Sequence, residues 1–186
     1  MPKVLIPIAT GFEEIEAVNI IDVLRRGGID VIMASLTNEM LIKGANGIVV
    51  QCDCEITSVC MNDMDMIVLP GGWGGTNALA SDVNVQRILK EMNAKNKWIG
   101  AICAAPFALF KAGVLKAGYT CYPSVEEQID VDGYQEEDNV VETDNIMTSR
   151  GPATAICFGL AIVKKLVSDE MSESLRGGLL AQSCCQ

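Results

Sequence analysis

The sequence predicts one doubly wound α/β domain over residues 1–186, a mostly parallel sheet with helices on both faces. Three observations predict it. The first 36 residues read as a complete β-α-β unit. Short apolar runs of strand length then alternate with amphipathic helical stretches. Neither an internal repeat nor a linker-like segment divides the chain. At 186 residues it can bury a sizeable core without staples.

Lys3 to Ile8 is a short apolar run, the pattern of a buried strand. Gly11 breaks it. Glu13 to Arg26 has helical periodicity, with Ile15, Val18, Ile21, Val23 and Leu24 apolar. Acidic residues crowd its first turn and Arg25-Arg26 its last, matching the helix dipole. Gly27-Gly28 ends it, and Asp30 to Leu36 is the second strand. Leu41 to Lys43 and Ile48 to Val50 flank Asn46-Gly47, a hairpin signature and a small β insertion. Met66 to Leu69 and Trp98 to Ile102 are further buried strands, with an amphipathic helix over Val83 to Met92 between them. A helix is expected directly from Ala104 to Phe110, and a short strand at Thr120 to Tyr122. Residues 124–139 are acidic and read as loop or short helix. Val140-Val141 and Ile146-Met147 flank Asp144-Asn145 as two short strands. Thr154 to Val167 and Asp169 to Gln182 complete the chain as helices.

Composition narrows the chemistry. Lys and Arg total 14 against 24 Asp and Glu, a net charge of −10. So acidic a chain is poorly suited to stable nucleic-acid binding through a broad basic face. There is no histidine. That excludes Ser-His-Asp and Cys-His machinery within the chain and every zinc site built on histidine. No signal-peptide pattern opens the sequence, and no run approaches the ~20 apolar residues of a membrane span. The expectation is a cytoplasmic protein with mostly reduced thiols. None of the eight cysteines has C-x-x-C spacing, and no metal or cofactor is expected. Cys184-Cys185 reads as an exposed tail.

Sites in open α/β sheets lie beyond the carboxyl ends of the strands. Three such corners carry suggestive residues. Cys103 sits where an apolar strand turns into a helix, with Ala101 and Ala105 two residues to either side. A nucleophile on a tight strand-to-helix turn needs small neighbours there. A helix N-terminus also lowers a thiol's pKa. At the corner after the first strand, Glu13 and Glu14 read as solvated first-turn charges. Glu16 lies at the edge of the apolar face and could reach a neighbouring strand's nucleophile. An ionised Glu16 would raise the thiol's pKa, whereas a protonated one could donate to the thiolate. The third corner, Pro70-Gly71-Gly72-Trp73-Gly74-Gly75-Thr76, could bring backbone N–H groups close to a ligand or an oxyanion. It reads equally well as a plain tight turn. It is neither a Walker loop nor G-x-G-x-x-G, which argues against a nucleotide-binding module.

Five ordered stretches resemble the ThiJ/PfpI superfamily, in the branch of the Parkinsonism-associated deglycase and its bacterial relatives. They are Gly11 to Glu16 (GFEEIE), Asp22 to Gly28 (DVLRRGG), Val68 to Gly72 (VLPGG), Gly100 to Pro106 (GAICAAP) and Thr148 to Pro152 (TSRGP). The resemblance implies a flavodoxin-like homodimer. By motif position it implies Cys103 as nucleophile and Glu16 as its protonated partner. The N–H groups of Gly72 and Ala104 would form the oxyanion hole. Gly71, Tyr122 and Pro152 would line the substrate pocket, with Pro152 near the thiol, and Arg26 would lie near the dimer interface. It further implies cofactor-free conversion of methylglyoxal or glyoxal to the hydroxy acid, or removal of early glycation adducts from proteins or nucleotides. An alternative role is an oxidative-stress chaperone that senses oxidation of Cys103. One departure stands out. Many animal members place a histidine before the proline matching Pro123, where this chain has Tyr122.

Overall fold

The computed structural model describes residues 1–182, so the Cys184-Cys185 tail lies outside the described residues. The chain forms a seven-stranded sheet beside a separate two-stranded one. The strands are β1 (Lys3–Ile8), β2 (Asp30–Ser35), β3 (Leu41–Lys43), β4 (Val49–Gln51), β5 (Cys54–Glu55), β6 (Met66–Leu69), β7 (Trp98–Ile102), β8 (Val140–Thr143) and β9 (Ile146–Ser149). The large sheet runs β5-β2-β1-β6-β7-β9-β8. All neighbours in it are parallel except β8 and β9, which close as an antiparallel hairpin.

The helices are α1 (Glu14–Arg26), α2 (Trp73–Ser81), α3 (Val83–Ala94), α4 (Pro106–Lys111), α5 (Ala155–Leu166) and α6 (Asp169–Gly178). α1 packs on α5, and α6 packs on α5. α2, α3 and α4 pack on one another. Right-handed crossovers place these two groups on opposite faces of the sheet. The predicted doubly wound, flavodoxin-like arrangement is therefore the observed one. Its centre is dry, as burial on both faces demands: Val4, Leu5, Ile67, Val68 and Ile99 have no exposed surface.

Four local expectations are corrected. Trp73 to Ser81 is a helix, α2, and not only a glycine turn. α4 begins at Pro106, so Ala104 and Ala105 form a turn between Cys103 and the helix. Thr120 to Tyr122 makes no strand; a single bridge joins Tyr119 to Tyr134 instead. Glu14 is buried and not solvated, because the β3–β4 hairpin folds over it. Its carboxylate accepts from the backbone N–H of Asn46 (2.6 Å), the Asn46 side-chain amide (2.9 Å) and the N–H of Ile48 (3.3 Å). Burial alone would raise the Glu14 pKa, but these hydrogen bonds outweigh it and hold the carboxyl below its ordinary value.

The chain reverses direction across the sheet between β1 and β6. From β1 it steps outward to β2, then returns to build β6, β7 and β9 on the other side. That reversal opens a crevice at the carboxyl ends of β1, β6 and β7. All three predicted corners meet there.

Candidate active site

Cys103 follows β7 directly and has a φ of +63°. A non-glycine residue in the left-handed region costs roughly 1–3 kcal/mol and persists only when its surroundings enforce it. Here both backbone groups of the cysteine are held. Its N–H donates to Ser149 O at 3.0 Å, and its carbonyl accepts from Tyr122 N–H at 2.9 Å. Ala101 and Ala105 have no exposed surface. They are the small neighbours that the bend requires. The residue as a whole keeps 9% of its surface accessible.

Glu16 lies on α1 and is fully buried. Glu13 caps the helix and accepts from the N–H of Glu16 at 2.8 Å, which fixes the first turn. The helix is rotated from the expected setting. Its buried face carries Glu14, Glu16, Ala17, Ile20 and Val23, while Ile15 and Val18 face solvent. Glu16 thus sits inside the apolar face and not at its edge. Its Oε2 accepts from Gly71 N–H at 2.8 Å. Its Oε1 is buried without a conventional hydrogen bond, and the Cys103 thiol is the side chain beside the carboxyl.

The β6 corner completes the site. A Cβ on Gly71 would fall 2.5 Å from Glu16 Oε2 and 2.7 Å from Cys103 Cβ. No other residue fits between those two groups. Gly72 has a φ of +84°, and a side chain there would strike the Gly11 carbonyl at 2.5 Å. This turn brings the Gly72 N–H to the cysteine, and the Ala104 N–H approaches it too.

Burial pushes the Glu16 carboxyl up to about 7, against opposing hydrogen bonds from Cys103 and Gly71. Burial also pushes the Cys103 thiol up, and so does the charge of Glu16 when ionised; the N–H groups of Gly72 and Ala104 pull it down. Two negative charges cannot share this crevice, so the two groups titrate as a pair.

Tyr122 and Pro152 line a cleft of about 270 Å³, together with Pro123, Asn139, Arg150 and Ala153, and the Tyr122 backbone N–H joins it to the Cys103 carbonyl. Gly71 lies at the thiol and not in this cleft. Arg26 is the last residue of α1, exposed, and paired with Asp22 at 2.7 Å. Trp73 was not singled out in the sequence, although it directly follows Gly72. Its indole is partly exposed and stands edge-on to Phe107 with ring centres 5.9 Å apart. Among the described residues, no group of three or more Cys, Asp or Glu side chains is placed to hold a metal.

The DJ-1/PfpI family pattern matches residues 2–165. The chain belongs to the DJ-1/PfpI family. It is 37% identical to dj-1beta of Drosophila melanogaster over 178 residues, 95% of each chain. The crystal structure of Drosophila DJ-1beta superposes with a TM-score of 0.93, covering 96% of this chain and 97% of that one. Over 171 residues the chain is 40% identical to DJ-1 homolog B of Arabidopsis thaliana, but it spans only 39% of that protein's length. It is also 37% identical to the glutathione-independent glyoxalase DJR-1.2 of Caenorhabditis elegans over 164 residues, 88% of this chain and 87% of that one.

Proposed function

We propose that this protein is a cofactor-independent glyoxalase or deglycase of the DJ-1/PfpI family, acting through Cys103 with Glu16 as acid and base. The observation that carries the reading is a strained, held cysteine beside a fully buried carboxyl. The similarity to a named glyoxalase supports it.

Between the two groups, the sulfur is the better home for a negative charge. Two backbone N–H groups approach it against one for Glu16, and Cys103 keeps a little exposed surface where Glu16 keeps none. In this reading the charge of the pair rests on sulfur, and a neutral Glu16 donates to the thiolate.

The thiolate adds to the aldehyde carbon of a 2-oxoaldehyde and forms a hemithioacetal. The N–H groups of Gly72 and Ala104 hold the oxyanion and accept the developing charge without rearrangement. Glu16 gives a proton to oxygen and removes the hydrogen from the former aldehyde carbon as a proton. Its return to the neighbouring carbon leaves a thioester next to a new alcohol. One carbon is oxidised and the other reduced, so no external redox partner is needed. Water cleaves the thioester, releasing the 2-hydroxy acid and restoring the thiol. With no histidine in the chain, Glu16 carries every proton that crosses between the carbons. Tyr122, at the position of the family's histidine, forms a wall of the substrate cleft together with Pro152.

The same site supports a second reading, a sensor that registers oxidation of Cys103. The N–H groups and the neutral carboxyl that serve an oxyanion would equally bind sulfinate oxygens. One structural neighbour is a Toxoplasma gondii DJ-1 in oxidised form.

The protein acts as one domain in the cytoplasm, as a homodimer formed through the exposed face of α1. Ile15, Val18, Asp22 and Arg26 share that face at helical spacing. Ile48 and Val49 are exposed on the hairpin that Glu14 fastens to the start of α1. No helix among the described residues is long and apolar enough to cross a membrane.

The test is turnover of methylglyoxal to lactate. Cys103→Ala is expected to abolish it while the fold persists. Turnover left intact in that variant would overturn the reading.

A further inference from the structure

Cys103 keeps its φ of +63° only while its neighbours hold it. One of its backbone anchors is the carbonyl of Ser149, which accepts the Cys103 N–H at 3.0 Å. That bond lies just past the last paired residues of β7 and β9, Ile102 and Ser149. The end of a ladder is where strands fray, so something must fix the Ser149 carbonyl there.

The Ser149 side chain does so. The residue has no exposed surface, and its Oγ lies 2.7 Å from the Asn139 carbonyl and 2.7 Å from Thr154 Oγ1. A hydroxyl has one proton to give. The carbonyl only accepts, so Ser149 donates to Asn139 and Thr154 donates to Ser149. Thr154 Oγ1 in turn accepts from the Gly151 N–H at 3.1 Å. The Gly151 carbonyl also lies 2.9 Å from Thr154 Oγ1, but the Thr154 N–H already satisfies it at 2.9 Å. The result is one directed chain, from Gly151 N–H through the Thr154 and Ser149 hydroxyls to the Asn139 carbonyl. Each hydroxyl both accepts and donates, and such chains strengthen their members. The chain ties the residue before β8, the last residue of β9 and the turn before α5. Asn139, Gly151 and Thr154 also line the Tyr122–Pro152 cleft.

We propose that Ser149 and Thr154 are positioning residues for the nucleophile: their linked hydroxyls fix the Ser149 carbonyl, and that carbonyl holds Cys103 in the strained conformation that keeps its sulfur at the Gly72 and Ala104 N–H groups. The proposal deepens the reading of Cys103 as the nucleophile and rests on it. Without the chain the cysteine relaxes and its sulfur leaves the two N–H groups that pull its pKa down. Glu16, the titratable group that faces the sulfur, stays where α1 places it.

The test is alkylation of Cys103 by iodoacetamide across pH. The chain has eight cysteines, so the rate is read on the Cys103 peptide by mass spectrometry. The thiolate is the reacting form, and the midpoint of the rate profile reports its pKa. Ser149→Ala and Thr154→Val each remove one hydroxyl of the chain. Each is expected to raise the midpoint by about half a unit or more, which slows alkylation at pH 7 about threefold or more. Thr154→Ser keeps the hydroxyl and should retain the wild-type midpoint. A purely structural loss would lower the melting temperature and leave the midpoint in place. Thr154 is partly exposed, so its two variants decide the matter even where Ser149→Ala does not fold. A midpoint unmoved in Thr154→Val, or moved as far in Thr154→Ser, would overturn the proposal. If wild type turns over no methylglyoxal, the glyoxalase reading fails and the midpoints still decide the positioning role. A wild-type Cys103 that iodoacetamide leaves unmodified would overturn both.

Discussion

Glu16 shows what burial does to a single residue. A carboxyl with no exposed surface keeps its proton to about pH 7 because water cannot solvate the charge. In the denatured chain it ionises near 4.5. Between those values the denatured state binds fewer protons than the native state, so native stability falls as pH rises. The loss is complete above about pH 7 and amounts to about 3 kcal/mol. Urea unfolding between pH 4.5 and 7.5 should show that slope in wild type, and Glu16→Gln should flatten it. The cysteine was legible in the sequence because its small neighbours and its strand-helix junction are local features. Glu16 was harder to read. Its role depends on the rotation of α1, and that is set by Glu14 and Glu16 turning inward while Ile15 and Val18 turn out. No propensity rule favours burying carboxylates over isoleucine and valine. The docking of the hairpin and of the β6 corner decides it.

At the scale of elements, strands and their order were readable because their apolar runs are short, continuous and separated by helices of strong periodicity. The Asn46-Gly47 hairpin was equally plain. What failed were elements whose signals are weak or shared. α2 carries Gly74 and Gly75 in its first turn, which look like loop and cost helix propensity. It forms because Gly75 packs against the backbone of Phe12, where an added Cβ would come within 2.9 Å. β5 is two residues long and has no pattern to detect. The hairpin's attachment is a testable element-scale claim. Three donors converge on Glu14, and removing the acceptor would strand them partly buried, at about 1–3 kcal/mol. Glu14→Ala should therefore raise amide exchange across β3 and β4 at least about tenfold, while β7 amides remain protected. Uniform exchange in the two proteins would show that the hairpin is held by other contacts.

At the scale of the whole molecule, the sheet reversal between β1 and β6 explains why residues as distant in sequence as Glu16, Gly71 and Cys103 converge. Each lies just past the carboxyl end of one of three adjacent parallel strands. The outer surface has its own logic. Exposed Ile15, Val18, Ile48 and Val49 give one face an apolar character unusual for a chain of net charge −10. The proposed homodimer covers that face. Val18→Asp should shift sedimentation from dimer to monomer, and a wild-type chain that sediments as a monomer would contradict it. Surface ion pairs such as Arg26–Asp22 and Arg87–Glu91 are half-exposed, so they add little to stability.

The account turns on Glu16 and Cys103 sharing one proton, with the charge on sulfur. Thiolate absorbance at 240 nm, taken as wild type minus Cys103→Ala across pH, measures this directly. The expected result is a thiolate step below the ordinary thiol range that moves up by at least about one unit in Glu16→Ala. A step at or above the ordinary thiol range, unmoved by Glu16→Ala, would contradict the account.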